Sequence, residues 1–142
     1  MSAIIPATAQ DCLTLAKTIW GEARGESWLG QLQVGHVVIN RLRAGKWYGR
    51  TITEVCLKPF QFSCWNANDP NRPKLDEITL ADSSFQLAMC AALKVIQGLA
   101  FECSYSAVTH YYREGTPVPS WAKGKRVDFR IGNHVFHSDI DP

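Results

Sequence analysis

The sequence predicts an α+β fold that is mainly helical, with a small antiparallel hairpin near the C-terminus. In the first half, apolar residues recur at helical spacing between capping residues and glycines. In the last third, β-branched and aromatic residues alternate instead, and Gly132-Asn133 is a two-residue turn signal. Helices followed by strands in one chain are typical of this fold class.

The 142-residue length fits a single domain, which we expect to span residues 1–142. A hydrophobic fraction of 46% and an aromatic fraction of 11% exclude a disordered tail. Because the net charge is only +2, we expect no nucleic-acid partner. We also expect a monomer. No apolar run approaches the about 20 residues of a membrane span, so we expect no stable membrane insertion.

Two helices are predicted in the first 45 residues. Thr8 and Asp11 stand in a T-x-x-D arrangement, a weaker relative of the capping box. A first helix is therefore expected from about residue 9 to Arg24, with the following glycine as its stop. Ser27 caps the second helix, which Gly45 ends.

The middle of the chain is predicted to hold two further helices and one loop. Thr51 to Glu54 is a capping box that opens a short helix, and Pro59 terminates it. Residues 66–73 read N-A-N-D-P-N-R-P, which predicts an exposed ordered loop. Asp82 caps a helix over residues 83–97, and a glycine closes it.

The first candidate for chemistry is Glu22, at the end of the first predicted helix. It follows Ile19-Trp20, and apolar or aromatic surroundings disfavour the charged form of a carboxyl group. A neutral carboxylic acid is what protonation of a glycosidic oxygen requires. The alternative is a solvated helix-end residue paired with Arg24 or a nearby lysine.

Glu26 is a second candidate carboxyl, four residues further on. On a continuous helix both carboxyl groups would share a face, but Gly25 is expected to break the helix. Retaining glycosidases separate two carboxyls by about 5–5.5 Å and inverting ones by about 6.5–9.5 Å, and the sequence does not choose between them. Glu26 could instead stabilise the N-terminus of the second helix by charge–dipole attraction.

The stretch Phe60 to Asn66 combines three aromatic rings with amide and hydroxyl groups. Sugars offer apolar C–H faces and many hydroxyls, so this composition suits a carbohydrate-binding wall. The alternative is that the rings belong to the core. Trp65, next to the polar loop, is the ring that we most expect at a cleft.

Metal and cofactor chemistry is not indicated. The four histidines, His36, His110, His134 and His137, form no H-E-x-x-H motif, and no cysteine pair completes a zinc site. We therefore predict no metal and no cofactor. The basic residues at 123, 125, 126 and 130 are a solvated turn or a contact for an anionic polymer.

Several separated motifs, in order, resemble the cell-wall hydrolase family of the spore cortex-lytic enzymes SleB and CwlJ. The resemblance runs from about Leu15 to His137. Its motifs are Gly21-Glu22-Ala23-Arg24-Gly25-Glu26, Gly30-Gln31, Val37-Val38-Ile39-Asn40-Arg41, Gln61-Phe62-Ser63-x-Trp65, Ala107-x-Thr109-His110-Tyr111 and Ile131-Gly132-Asn133-His134-Val135-Phe136.

The resemblance implies a lysozyme-like, lytic-transglycosylase-like domain that cleaves the β-1,4 bond between N-acetylmuramic acid and N-acetylglucosamine in peptidoglycan glycan strands. It makes Glu22 the catalytic acid and base, and 1,6-anhydro-muramic ends the expected product. Hydrolytic muramidase and N-acetylmuramoyl amidase activities remain alternatives, as does a non-catalytic glycan-binding module. The residues expected at the substrate are Glu26, Gln61, Phe62, Ser63, Trp65, Thr109, His110 and Tyr111.

The sequence also suggests where such an enzyme would work. The first ten residues show no signal peptide, and the five cysteines form no C-x-x-C pair. These features resemble a bacteriophage endolysin, made in the host cytoplasm and acting on the wall after release to the periplasm or exterior. This role is an expectation from the sequence alone.

Overall fold

The computed structural model describes residues 5–103 and 107–141, in which five α-helices precede a three-stranded antiparallel sheet. This architecture confirms the predicted fold class. The elements are α1 (Ala9–Ala23), α2 (Trp28–Ala44), α3 (Ile52–Leu57), α4 (Arg72–Glu77), α5 (Ser83–Ile96), β1 (His110–Arg113), β2 (Phe129–Ile131) and β3 (His134–His137).

The predicted capping residues begin their helices. Thr8 and Asp11 form a reciprocal capping box at α1, and the Ser27 hydroxyl accepts a hydrogen bond from the Gly30 N–H at α2. The Asp82 carboxylate accepts hydrogen bonds from two N–H groups in the first turn of α5. The Thr51 hydroxyl likewise caps α3. Local sequence therefore determines where these helices start.

Helices α1 and α2 form the centre of the core. Helix α1 packs against α2, α3 and α5, with Leu15 and Ile19 fully buried. Helix α2 is buried on nearly all sides and even encloses Gln31, Gln33 and Arg41. The C-terminal end of α1 emerges from this core, so Glu22 lies at the surface of a rigid scaffold.

The predicted loop at residues 66–73 is wrong at its C-terminal end. Arg72 and Pro73 begin helix α4 instead. Proline is tolerated there because the first turn of a helix has N–H groups without intrahelical acceptors. The polar composition of the segment concealed this short helix.

The C-terminal hairpin is confirmed, and β1 adds a third strand to it. Strand β3 lies in the middle, with β1 and β2 antiparallel on either side. Gly132 has φ +56°, as the tight turn between β2 and β3 requires. Because side chains alternate across a strand, Tyr111 and His134 share one face, and Tyr112 and His137 share the other.

No helix in the described part of the chain has the length and apolar character that crossing a membrane would require.

We expect Asp11→Asn to destabilise the fold by about 1 kcal/mol at neutral pH. The Asp11 carboxylate accepts hydrogen bonds from the Thr8 N–H and from the N–H and hydroxyl of Thr53, which ties α1 to α3. Burial raises the pKa of Asp11, but these hydrogen bonds outweigh it and bring the pKa below the ordinary 3.8. The contribution is therefore complete above pH 3.8 and is lost as the pH falls through the lowered pKa.

Urea unfolding of wild type and Asp11→Asn at pH 7 and at pH 2–3 measures this difference. The gap in the free energy of unfolding should narrow at the lower pH. A gap of equal size at both values would show that Asp11 acts through packing rather than through its charge.

Candidate active site

Glu22 is held by three hydrogen-bond donors that come from two distant parts of the chain. The Tyr111 hydroxyl donates to Glu22 Oε1 at 2.7 Å. The Cys64 N–H and the Ser63 hydroxyl donate to Oε2 at 3.1 and 3.4 Å. The last turn of α1, the 3-10 turn at residues 63–65 and strand β1 thus meet at one carboxyl group.

An open cleft of about 390 Å³ contains this carboxyl group. It has a mainly polar lining with tyrosine rings and one exposed phenylalanine ring. Among the described residues that line it, Glu22 is the one carboxylate. The lining residues are Gly21, Glu22, Arg41, Phe60, Gln61, Ser63, Asn71, Tyr111, Tyr112, Arg113 and His134.

The groups that contact Glu22 remain protonated at neutral pH. Burial raises the pKa of Tyr111 well above its ordinary value, and the negative charge of Glu22 raises it further. Burial likewise raises the pKa of the neighbouring Cys64 thiol far above its ordinary value, again with a contribution from Glu22. Tyr111 is therefore a lasting hydrogen-bond donor, and Cys64 is not a thiolate nucleophile.

Glu26 does not line the cleft, so the structure does not place it where the predicted substrate contact requires. Its carboxylate accepts hydrogen bonds from the backbone and side-chain N–H groups of Asn133, at 2.9 and 3.1 Å. Burial alone would raise the pKa of Glu26, but the Asn133 hydrogen bonds lower it overall. Helix α1 ends at Ala23, so Glu26 leaves the face of Glu22 and anchors the hairpin turn instead.

Only some of the residues predicted as substrate contacts in the aromatic stretch 60–66 line the cleft. Gln61 and Ser63 line the cleft as expected. Phe62 is wrong as a substrate contact, because only 1% of it is exposed and its ring packs under the Arg41 guanidinium. Trp65 is also outside the cleft lining, since its indole N–H donates to Thr18 and its ring packs against the core.

Phe60 presents the exposed ring that was predicted for Trp65. The residue is 86% exposed and has φ +64°, a conformation that a bulky side chain rarely adopts. Phe60 lines both the Glu22 cleft and the neighbouring cavity, and an exposed ring there suits the apolar face of a sugar.

Three predicted contacts come from the start of β1, and the structure separates them. Tyr111 reaches the cleft. The Thr109 carbonyl accepts a hydrogen bond from Arg41 Nε at 2.7 Å, and the Thr109 hydroxyl lies 3.0 Å from His110 Nδ1. Thr109 lines neither cavity described here, and His110 faces a neighbouring cavity instead.

That neighbouring cavity has a volume of about 380 Å³. It shares four lining residues with the Glu22 cleft, so the two form one continuous groove. The shared residues are Arg41, Phe60, Gln61 and Tyr111, and the second cavity adds Trp47, His110, Trp121 and Asp141.

Sequence reasoning missed several residues of this groove. His134 was considered only as a metal ligand, yet it lines the cleft, and its buried Nδ1 has no hydrogen-bond partner among the described residues. Burial lowers the pKa of His134. Asn71 is held in place by Arg24, which donates to it at 2.9 Å and stacks on Trp20. A charged residue inside the apolar stripe of α2 was the available signal for Arg41.

A hydrogen-bonded carboxyl group in an open, polar groove with exposed aromatic rings is an arrangement that suits the class of enzymes that cleave polysaccharides. Comparison with known proteins narrows the class. Residues 25–137 match the cell wall hydrolase family, and the chain belongs to that family. This membership confirms the predicted family; Glu22 lies just before the matched range.

Two curated relatives carry the name spore cortex-lytic enzyme. The relative from Bacillus subtilis is 28% identical over 131 residues, and the one from Halalkalibacterium halodurans is 25% identical over 128 residues. Each alignment covers 89% of this chain but only 37% and 34% of the relatives. The chain therefore spans about a third of their length.

Two solved structures share the fold. The catalytic domain of the Bacillus cereus SleB protein has a TM-score of 0.72 and 23% identity, covering 96% of this chain and 97% of that one. The catalytic domain of the germination-specific lytic transglycosylase SleB from Bacillus anthracis has a TM-score of 0.68 and 24% identity, covering 93% and 98%. The predicted lytic-transglycosylase-like fold is thereby confirmed.

Proposed function

We propose that this protein is a lytic transglycosylase that cleaves the β-1,4 bond between N-acetylmuramic acid and N-acetylglucosamine in peptidoglycan. The observation that carries the proposal is the carboxyl group of Glu22, the one carboxyl group among the described residues that line its cleft. Two-carboxylate glycosidases need a second carboxyl group within about 5–10 Å as nucleophile or base. Glu26, the nearest one in sequence, is occupied by Asn133.

In the first step, protonated Glu22 gives its proton to the glycosidic oxygen. The bond from muramic C1 to that oxygen breaks, N-acetylglucosamine leaves with a new hydroxyl group, and positive charge develops at C1. The Tyr111 hydroxyl and the Cys64 N–H fix the orientation of the carboxyl group. Such positioning lowers the entropic part of the activation barrier, because the acid is already oriented when the substrate binds.

In the second step, the Glu22 carboxylate takes the proton of the muramic C6 hydroxyl. The C6 oxygen attacks C1 of the same sugar, which forms the 1,6-anhydro ring and returns Glu22 to its protonated state. No water is consumed, and no protein nucleophile is needed. Intramolecular attack benefits from a high effective concentration of the hydroxyl group.

Polar groups around Glu22 support the charged transition state. Ser63, Gln61 and Asn71 offer hydroxyl and amide groups to the sugar hydroxyls, and Phe60 offers a ring to its apolar face. Preorganised dipoles of this kind act where water is partly excluded. These contacts are proposals that rest on the lining of the groove.

Digestion of purified sacculi, followed by mass spectrometry of the products, tests the proposal. We expect muropeptides 18 Da lighter than the hydrated forms and no new reducing ends. Hydrated reducing ends would instead indicate a muramidase, and release of stem peptides from intact glycan would indicate an amidase. Binding to sacculi without any cleavage would indicate a glycan-binding module.

We expect Tyr111→Phe to lower kcat by about tenfold to a hundredfold, with the fold intact. The variant keeps the ring that packs on His134 and Phe136 but removes the hydroxyl that holds Glu22 Oε1. A charge-assisted hydrogen bond contributes about 1.5–3 kcal/mol. Tyr112→Phe is the comparison at the adjacent position: Tyr112 also lines the cleft, but its hydroxyl is not among the donors to Glu22, so we expect a smaller fall in kcat.

Initial rates on soluble glycan strands, with thermal unfolding alongside, measure this effect. Equal kcat values for Tyr111→Phe and wild type would remove Tyr111 from the mechanism.

A role in phage-mediated lysis, and action from the host cytoplasm, stay predictions of the sequence. Expression inside bacteria with and without a membrane-permeabilising protein tests them, because lysis should require both proteins.

A further inference from the structure

Arg41 is a buried cation without a counter-ion in the described residues. It is only 4% exposed, its Nε donates to the Thr109 carbonyl, and its Nη1 lies 3.4 Å from Gln61 Oε1. No carboxylate within residues 5–103 and 107–141 lies within 4.0 Å of the guanidinium, although the charge of Glu22 acts on it from farther away. A buried cation that no carboxylate contacts is costly, so an anion from outside the protein would stabilise it.

The surroundings of Arg41 hold the guanidinium in place for such an anion. It lies 4.9 Å from the Phe62 ring centre and 5.4 Å from that of Tyr48. Cation–π contacts stabilise it there without neutralising its charge. Because Arg41 lines both halves of the groove, a bound anion would sit next to the sugar that occupies the Glu22 cleft.

His110 adds no positive charge to the second cavity. Burial, together with the charge of Arg41, lowers the pKa of His110 to about 4, so His110 is neutral at neutral pH. Trp47, Phe60 and Trp121 add aromatic walls. Asp141, at the exposed edge, is the one negative group of that lining, and it would repel an incoming anion.

We propose that the second cavity is a subsite for a carboxylate carried by the substituent of the muramic sugar, with Arg41 as its ligand. This inference rests on the proposed function. The carboxylate has two possible sources in the wall polymer: the lactyl group of a peptide-free muramic acid, or the stem peptide attached to it. Arg41 would bind the carboxylate, and the aromatic walls would pack against the apolar atoms that carry it.

Three preparations of soluble glycan strands test the subsite. The first keeps its stem peptides, the second has them removed so that lactyl carboxylates are free, and the third has all carboxyl groups converted to neutral amides. For wild type, we expect kcat/KM on one of the two charged substrates to exceed that on the amidated one by about ten- to a hundredfold. The preferred charged substrate identifies the source of the carboxylate.

Two pairs of variants separate recognition from folding. Arg41→Gln should abolish the preference for charged glycan, and Arg41→Lys should retain part of it. Asp141→Asn, at an exposed position, should raise the preference by about two- to fivefold at low salt, because it removes a repulsive charge. Asp139→Asn removes the same charge from an exposed position outside both cavities and should leave the preference unchanged.

The outcomes separate this proposal from the proposed function. Equal kcat/KM for wild type on all three preparations would overturn the subsite while leaving glycan cleavage in place. An unchanged preference in both Arg41→Gln and Asp141→Asn would also overturn it. If wild type leaves every preparation uncut, the proposed function fails and the subsite fails with it.

Discussion

Glu22→Gln is expected to lower the rate of glycan cleavage by about 10²- to 10⁴-fold, the range that general acid–base groups contribute. The substitution keeps the size of the side chain but removes the proton that both proposed steps use. It also turns one of the two oxygens into an NH₂ group, which cannot accept the hydrogen bonds of Tyr111 or Cys64. Activity is measured from product formation on soluble glycan, and folding from circular dichroism and thermal unfolding.

Glu26→Gln is the matched control, because it makes the same chemical change four residues away in the same motif. It should keep kcat within a few-fold of wild type. It should also lower the free energy of unfolding by about 1 kcal/mol, since Glu26 holds the hairpin turn through Asn133. Cleavage by Glu22→Gln at more than a tenth of the wild-type rate would remove Glu22 as the acid.

Gly21→Ala is expected to damage both activity and stability, although it adds a single methyl group. A Cβ atom at this position would lie 2.7 Å from Cys64 Cβ and 2.8 Å from Cys64 Sγ. The 3-10 turn would have to move away from α1, and its Cys64 N–H would leave Glu22 Oε2. We expect about 1–3 kcal/mol of destabilisation, and up to about a hundredfold lower kcat from the misplaced carboxyl group.

Gly25→Ala provides the control within the same six-residue motif, because a Cβ atom there meets nothing within 4 Å. Its stability should stay within about 0.5 kcal/mol of wild type. The double variant Gly21→Ala/Cys64→Gly restores space at the contact and should recover part of the lost kcat. If Gly21→Ala proved as active and stable as Gly25→Ala, close packing at this contact would not position Glu22.

Local signals made the helices predictable. At Thr8, Ser27 and Asp82, the capping side chain bonds N–H groups only two or three residues away, so a short sequence window contains the whole interaction. The hairpin turn at Gly132-Asn133 was predictable for the same reason, because its signal lies in two adjacent residues. Helix α4 was missed because its six residues include a single buried apolar side chain, Leu75, and therefore show no apolar periodicity.

The aromatic stretch shows where local reasoning fails. Phe60 and Phe62 are two residues apart and alike in composition, yet one is 86% exposed and the other 1%. Phe60 has a positive φ, whereas the Phe62 ring packs in the core under the Arg41 guanidinium. Neither feature can be predicted from the residues adjacent in sequence.

By itself, the sequence determined the α+β class, the helix starts, the wall-hydrolase motifs and Glu22 as the carboxyl group to consider. Tertiary structure alone decided which partners reach that carboxyl group, since Cys64 and Tyr111 lie 42 and 89 residues away along the chain. It also placed Glu26 at the hairpin turn and put Arg41 between two cavities, where no carboxylate of the described residues forms an ion pair with it. Caps and turns depend on neighbours within a few residues, whereas the direction of a site's side chains depends on how distant elements pack.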